Sequence, residues 1–157
     1  MTMETPAPES ENTEEARGFC IHCQARWADM DPNSHMKNTA FLDYAADSRM
    51  AFFKSNGFPM ARFAQLGMGP MALEDRLEYK REIHLYEPFT VELLLGRMVT
   101  DGSRFSLVNL FWKGEGILAA RMETRGAWLD QKIRKITAPP EDLWKIMAGL
   151  PRWTPPA

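Results

Sequence analysis

Residues 38–55, NTAFLDYAADSRMAFFKS, form an unbroken run without glycine or proline. Nothing else in the chain restricts its architecture as strongly. Phe41, Tyr44, Ala45 and Phe52 make one apolar row at helical spacing. Leu42, Ala46, Met50 and Phe53 make a second beside it, leaving Asp43, Asp47 and Lys54 on a narrow polar edge. An apolar surface this wide predicts a helix covered on most of its sides. Asn38 or Thr39 is placed to cap its start, and Gly57 to end it.

The cover has to come from strands. After a short helical segment, PMARFAQLG (59–67), the hydrophobic period drops from that of a helix to that of a strand. In residues 70–81, Met71, Leu73, Leu77 and Tyr79 alternate with Glu74, Arg76, Glu78 and Lys80. Longer strands are predicted over 89–100, 104–112 and 116–130, joined by the short links DGS and KGE as an antiparallel meander. In the last of them Leu118, Ala120, Met122, Thr124, Gly126 and Trp128 fall on one face, and Arg121, Glu123 and Arg125 on the other. FCIHCQARW (19–27) predicts a first strand, and PPEDLWKIMAGL a closing helix. A flat sheet cannot cover one helix on most sides, so the sheet must curl around it. The expected class is α+β.

The boundaries expected are a disordered acidic leader over 1–18, one domain over 19–150 and a frayed tail over 151–157. In the leader, Glu4, Glu9, Glu11, Glu14 and Glu15 against Arg17 leave a balance of −4; the chain carries −2, so the remainder stands at +2. That remainder is no footprint for duplex nucleic acid, which calls for a clustered basic face. No apolar run reaches the ~18–20 residues of a membrane span, and no basic-then-apolar start marks a signal peptide. Cys20 and Cys23 form a Cys-x-x-Cys on a strand, where positions three apart face opposite ways. The pair therefore does not read as a redox or metal motif, and the expected compartment is reducing and cytoplasmic.

DMDPNSHMKN (29–38) is the most chemically loaded stretch. As a calcium loop it fails: Ser34 stands where the turn glycine belongs and Ala40 where the bidentate Glu belongs. Asp29 and Asp31 as a magnesium pair would need further carboxylates or a phosphate substrate, and no other acidic cluster announces itself. His35 is a candidate base or ligand, yet His22, His35 and His84 share no ligand spacing. The remaining reading is geometric. A carboxylate-bearing loop feeds the N-terminus of a long helix, where unpaired N–H groups and the positive dipole end suit a carbonyl oxygen gaining charge. An ionised Asp there could activate water or attack the carbonyl of a thioester. Equally, Asp31 before Pro32 could be only a turn residue.

Residues 26–53, RWADMDPNSHMKNTAFLDYAADSRMAFF, resemble the opening of hotdog-fold acyl-CoA thioesterases of the 4-hydroxybenzoyl-CoA thioesterase-like group. The matching pieces are Arg26, Asp29, Asp31, His35, Asn38, Phe41, Tyr44 and Arg49, with Ser34 standing at the usual turn glycine. The resemblance implies a curled antiparallel sheet wrapped around a long central helix, and a homo-oligomer, dimer or tetramer, with sites where subunits meet. It implies Asp31 as catalytic base or nucleophile, without metal or cofactor, and backbone N–H groups near Asn38 and Thr39 polarising the thioester carbonyl. His35, Met36, Lys37 and Arg81 are the expected substrate-binding residues, with Arg134 and Lys135 as further cations for coenzyme A phosphates. The substrate implied is a fatty or aryl acyl-CoA. The rival reading from another class is a non-catalytic acyl-CoA-binding protein of the same fold, and a third is an enzyme acting on acyl chains held by a carrier protein.

Overall fold

The computed structural model describes residues 17–156. All of the expected leader except Arg17 and Gly18 lies outside them. Among the described residues six strands form one antiparallel sheet, β1 Phe19–Gln24, β2 Met68–Tyr79, β3 Pro88–Met98, β4 Arg104–Lys113, β5 Ile117–Asp130 and β6 Lys135–Ile136. The spatial order is β1-β3-β4-β5-β2, with β6 paired to the end of β5. Three helices accompany them, α1 Asn38–Ser55, α2 Met60–Leu66 and α3 Glu141–Ala148. The curled sheet holds α1 against its inner face, the hotdog architecture.

Inner-facing residues alternate along each strand. Val91 and Leu93 of β3, Leu107 and Phe111 of β4, and Met122 and Trp128 of β5 are buried with Phe41, Ala45, Phe52 and Phe53 of α1. Full burial of a side chain such as Phe53 contributes about 3 kcal/mol. Aromatic edges knit the C-terminal half of α1 to the sheet: the Phe53 ring meets Trp128 at 5.5 Å and Phe63 at 5.7 Å. Beneath the middle of α1, Asn109 donates to Ser48 Oγ at 2.8 Å.

The structure departs from the sequence reading in five places. The first strand stops at Gln24, because Trp27–Asp29 forms a 3-10 turn instead. Neither Asn38 nor Thr39 caps α1; Lys37 occupies that position and offers no side-chain bond. The second apolar row of α1 is largely unsealed: Leu42 and Met50 are half-buried and Ala46 is exposed, with only Phe53 buried, whereas Phe41, Ala45 and Phe52 of the first row are buried and its Tyr44 half-buried. Leu118 packs with Leu94, Val108 and Leu110 on the outer face, because the β4–β5 register shifts between Phe111 and Trp112 and reverses the alternation. The start of the tail is not frayed. Leu95 donates to the Pro151 carbonyl at 2.9 Å, Trp153 donates back to Leu95 at 2.8 Å, and the Trp153 ring joins the outer cluster beneath Arg121.

Candidate functional site

The loop between the 3-10 turn and α1 is pinned at both ends. Lys37 N–H donates to the Asp29 carbonyl at 2.8 Å, Met30 and Met36 form a bridge, and Met36 N–H donates to Ile83 at 2.8 Å. His35 bridges His84 through the backbone, and their rings meet edge to face at 5.2 Å. The loop therefore rests on residues 82–84, just past the end of β2.

Its two carboxylates have different fates. Asp29 is buried, at 4% exposure. Its Oδ2 accepts the Tyr44 hydroxyl at 2.5 Å and the Arg26 backbone N–H at 2.9 Å, while its Oδ1 takes the Arg26 guanidinium at 3.0 Å. Burial pushes the Asp29 carboxyl up, but the bonds from Arg26 and Tyr44 outweigh it and hold the group below its ordinary value. Burial and the Asp29 carboxylate push the Tyr44 hydroxyl up to about 12, so it stays a donor at neutral pH. Both Asp29 oxygens are engaged by Arg26 and Tyr44.

Asp31 is half-exposed, and its Oδ1 accepts the N–H groups of Asn33 at 2.8 Å and His35 at 3.1 Å. Its backbone closes the same turn, donating to the His35 carbonyl at 2.8 Å and accepting from Ser34 at 3.1 Å. Ser34 completes the turn in the left-handed region, with φ at 62°. The turn uses one carboxylate oxygen, and among the described residues nothing donates to the other.

Downstream, Asn38 and Thr39 are exposed at the first turn of α1, and among the described residues no acceptor faces their backbone N–H groups. Lys37 is half-buried beside them. Met36, expected at the substrate, is 5% exposed and packs in the inner core with Ala40 and Phe41. Arg81 is exposed in the segment on which the loop rests, anchored by its N–H to Ala119. The structure does not bring Arg134 and Lys135 to this place. They follow the end of β5 that pairs with Met68, at the opposite end of β2 from Tyr79, about 36 Å away along a strand of this length.

Two residues that the sequence reading names have contacts there that it did not assign. His84 sits alone in a loop with no pattern to mark it. Arg49 lies on the open side of α1, where its Nη1 donates to Thr124 Oγ1 at 3.3 Å and the Thr124 hydroxyl donates to Asp75 at 2.7 Å. Desolvation draws its guanidinium below the ordinary value, against the opposing pull of Asp75.

Residues 25–147 match the sequence family described as the thioesterase-like superfamily. The chain belongs to that superfamily. Solved structures agree on the fold of this thioesterase-like chain. A Staphylococcus aureus protein in complex with CoA superposes at a TM-score of 0.79 with 24% identity, over 89% of this chain and 90% of that one. The 1,4-dihydroxy-2-naphthoyl-CoA thioesterase of Synechocystis gives 0.76 at 17% identity, over 84% and 96%. A DHNA-CoA thioesterase from Staphylococcus aureus gives 0.74 at 16%, over 82% and 87%. No curated protein matches the sequence. Within this thioesterase-like fold the Asp31 loop leads directly into the open end of α1. Among the described residues no helix is long and apolar enough to cross a membrane, and no cluster of three or more metal-ligating side chains occurs.

Proposed function

We propose that the chain hydrolyses acyl-CoA thioesters with Asp31 as its reactive carboxylate. The observation that carries this reading is the asymmetry between two carboxylates in one loop. Asp29 is consumed by Arg26 and Tyr44, whereas Asp31 keeps an oxygen open in the loop that leads to the unpaired N–H groups of α1. As a base, Asp31 takes a proton from water, and the resulting hydroxide adds to the thioester carbonyl. The oxyanion rests on the Asn38 and Thr39 N–H groups at the positive end of α1. Collapse expels the CoA thiolate, which receives that proton, leaving the free acid. As a nucleophile, Asp31 itself adds to the carbonyl and expels the thiolate, and water then cleaves the mixed anhydride. A single turnover in heavy-oxygen water that labels the Asp31 carboxylate would establish the anhydride route with water attacking the Asp31 carbonyl, since general-base hydrolysis puts the label in the free acid alone.

The same reading places His35, Lys37 and Arg81 at the mouth, with the two cations toward the CoA phosphates. It also requires a second copy. Apart from Met68, β2 has no fully buried side chain, and among the described residues its outer edge has no strand partner. Such an edge is a template for pairing. Antiparallel pairing of two β2 edges about a two-fold axis brings the Met68 end of one copy to the Tyr79 end of the other. The cations at Arg134 and Lys135 then approach the neighbouring loop. Half-buried free thiols at Cys20 and Cys23 suit a cytoplasmic setting.

The test is release of free thiol from short, long and aromatic acyl-CoAs by the purified protein. Turnover of at least one class is expected. Saturable binding of acyl-CoA without turnover of any would favour the non-catalytic binding protein instead.

A further inference from the structure

The row of α1 that stays open runs from the loop end toward Arg49. Leu42 and Met50 are half-buried along it, and the small exposed Ala46 between them leaves room over the helix. At its far end lies a cavity of about 160 Å³ between α1 and strands β2, β4 and β5. Its walls are apolar, chiefly Met50, Phe53, Met71, Phe105 and Leu107, with Arg49 and Thr124 as the polar side. A cavity of about 150 Å³ accepts a group the size of benzene.

Arg49 is the unusual member. A guanidinium carries five N–H donors, and among the described residues this one has a single neutral acceptor, Thr124 Oγ1 at 3.3 Å. Among the described residues it makes no ion pair; Asp75, whose charge still reaches it, accepts the Thr124 hydroxyl. A desolvated cation with open donors on an apolar cavity is complementary to an anion carried on an apolar body. Arg49 lies eleven residues past Asn38, about 16 Å along the helix axis, and helical side chains lean back toward the N-terminus. An extended acyl group whose carbonyl sits at the start of α1 therefore runs over Leu42 and Ala46 toward the guanidinium.

We propose that the acyl group of the substrate carries a carboxylate at its far end, and that Arg49 in the cavity between α1 and β2 receives it. The substrate class is a dicarboxylic acid esterified to the CoA thiol through one carboxyl only. This rests on the thioesterase reading for its reaction, but not for its binding.

The experiment compares suberyl and octanoyl chains, equal in length and differing in the terminal carboxylate. Binding of their non-hydrolysable thioether CoA analogues is followed by calorimetry, and turnover of the two thioesters by thiol release. The parent protein is expected to favour the suberyl member at least tenfold, the scale of one charge-assisted hydrogen bond. Arg49→Met should bring the ratio to about one, and Arg49→Lys should keep part of it. Preference in binding without turnover of either thioester would sustain the carboxylate site and sink the hydrolase reading. Equal or reversed preference in the parent overturns the proposal, whatever the variants do. It is also overturned if Arg49→Met leaves the ratio intact, or if Arg49→Met dissociates the dimer and Arg49→Lys does not restore the preference, since Arg49 would then serve the interface.

Discussion

The two flanks of α1 differ in how far their polar groups are satisfied. Toward β1 the flank is closed: Tyr44, Asp29 and Arg26 bond one another, and Tyr44 stacks edge-on against Phe89 at 4.9 Å. Toward β2 it is open: Ala46 is exposed, Arg49 has one acceptor, and the edge strand has no neighbour among the described residues. The closed flank holds the loop in place and engages both oxygens of Asp29, whereas Asp31 keeps one oxygen open, which is why we propose Asp31 for the chemistry. The open flank carries the groups for which we propose a ligand and a second copy.

The comparison breaks most visibly at Asp29. Asp29→Ala leaves the Tyr44 hydroxyl with only the long contact to the Gln24 carbonyl at 3.5 Å and should cost about 1–3 kcal/mol, several degrees in thermal midpoint for a domain of this size. A midpoint within one degree of the parent would mean the flank is not closed in solution. Because the Asp29 carboxyl lies below its ordinary value when folded, the stabilisation is complete above about pH 4 and fades as pH falls through the lower value. Parent and variant should therefore converge in strong acid, and urea melts across that range measure it. A smaller effect is expected at the turn. Ser34→Gly relieves a left-handed φ but loosens the unfolded chain, so it should shift stability by no more than about 1 kcal/mol and leave thiol release within a few-fold. A large loss of activity would show that Ser34 does more than turn the chain. A test without any substitution concerns Cys23, on the closed flank. Burial, then Asp47 and Asp29, push its thiol up to about 11. At pH 8 it should alkylate about a hundredfold more slowly than a free cysteine, and rapid labelling would place it in an open environment.

Much of this was legible in the sequence, for identifiable reasons. The eighteen residues of α1 were fixed at both ends, because no glycine or proline competes within them and Gly57 follows at φ 87°. The three meander strands followed from their two-residue alternation and short links, and the Asp31 loop from its composition. Side-chain roles that depend on long-range pairing were hidden. Leu118 changes face through a register shift that no local pattern records. Two-residue β6 is too short to show a period, and Pro151–Trp153 is held by backbone bonds to Leu95 rather than by its own propensity. Periodicity marked both apolar rows of α1 for burial, but it cannot distinguish a surface covered by the chain itself from one left open. Arg26, Asp29 and Asp31 were visible together as a motif. Which carboxylate is spent depends on Tyr44, fifteen residues past Asp29 on the helix.

The central claim is that Asp31, not Asp29, does the chemistry, and Asp31→Asn tests it most directly. An asparagine carbonyl can still accept from Asn33 and His35, so the turn and the thermal midpoint should survive. Measured on the best acyl-CoA of the panel, kcat should fall by about 100-fold or more, the scale of losing a general base. An Asp31→Asn protein that folds like the parent and keeps its kcat would contradict the account.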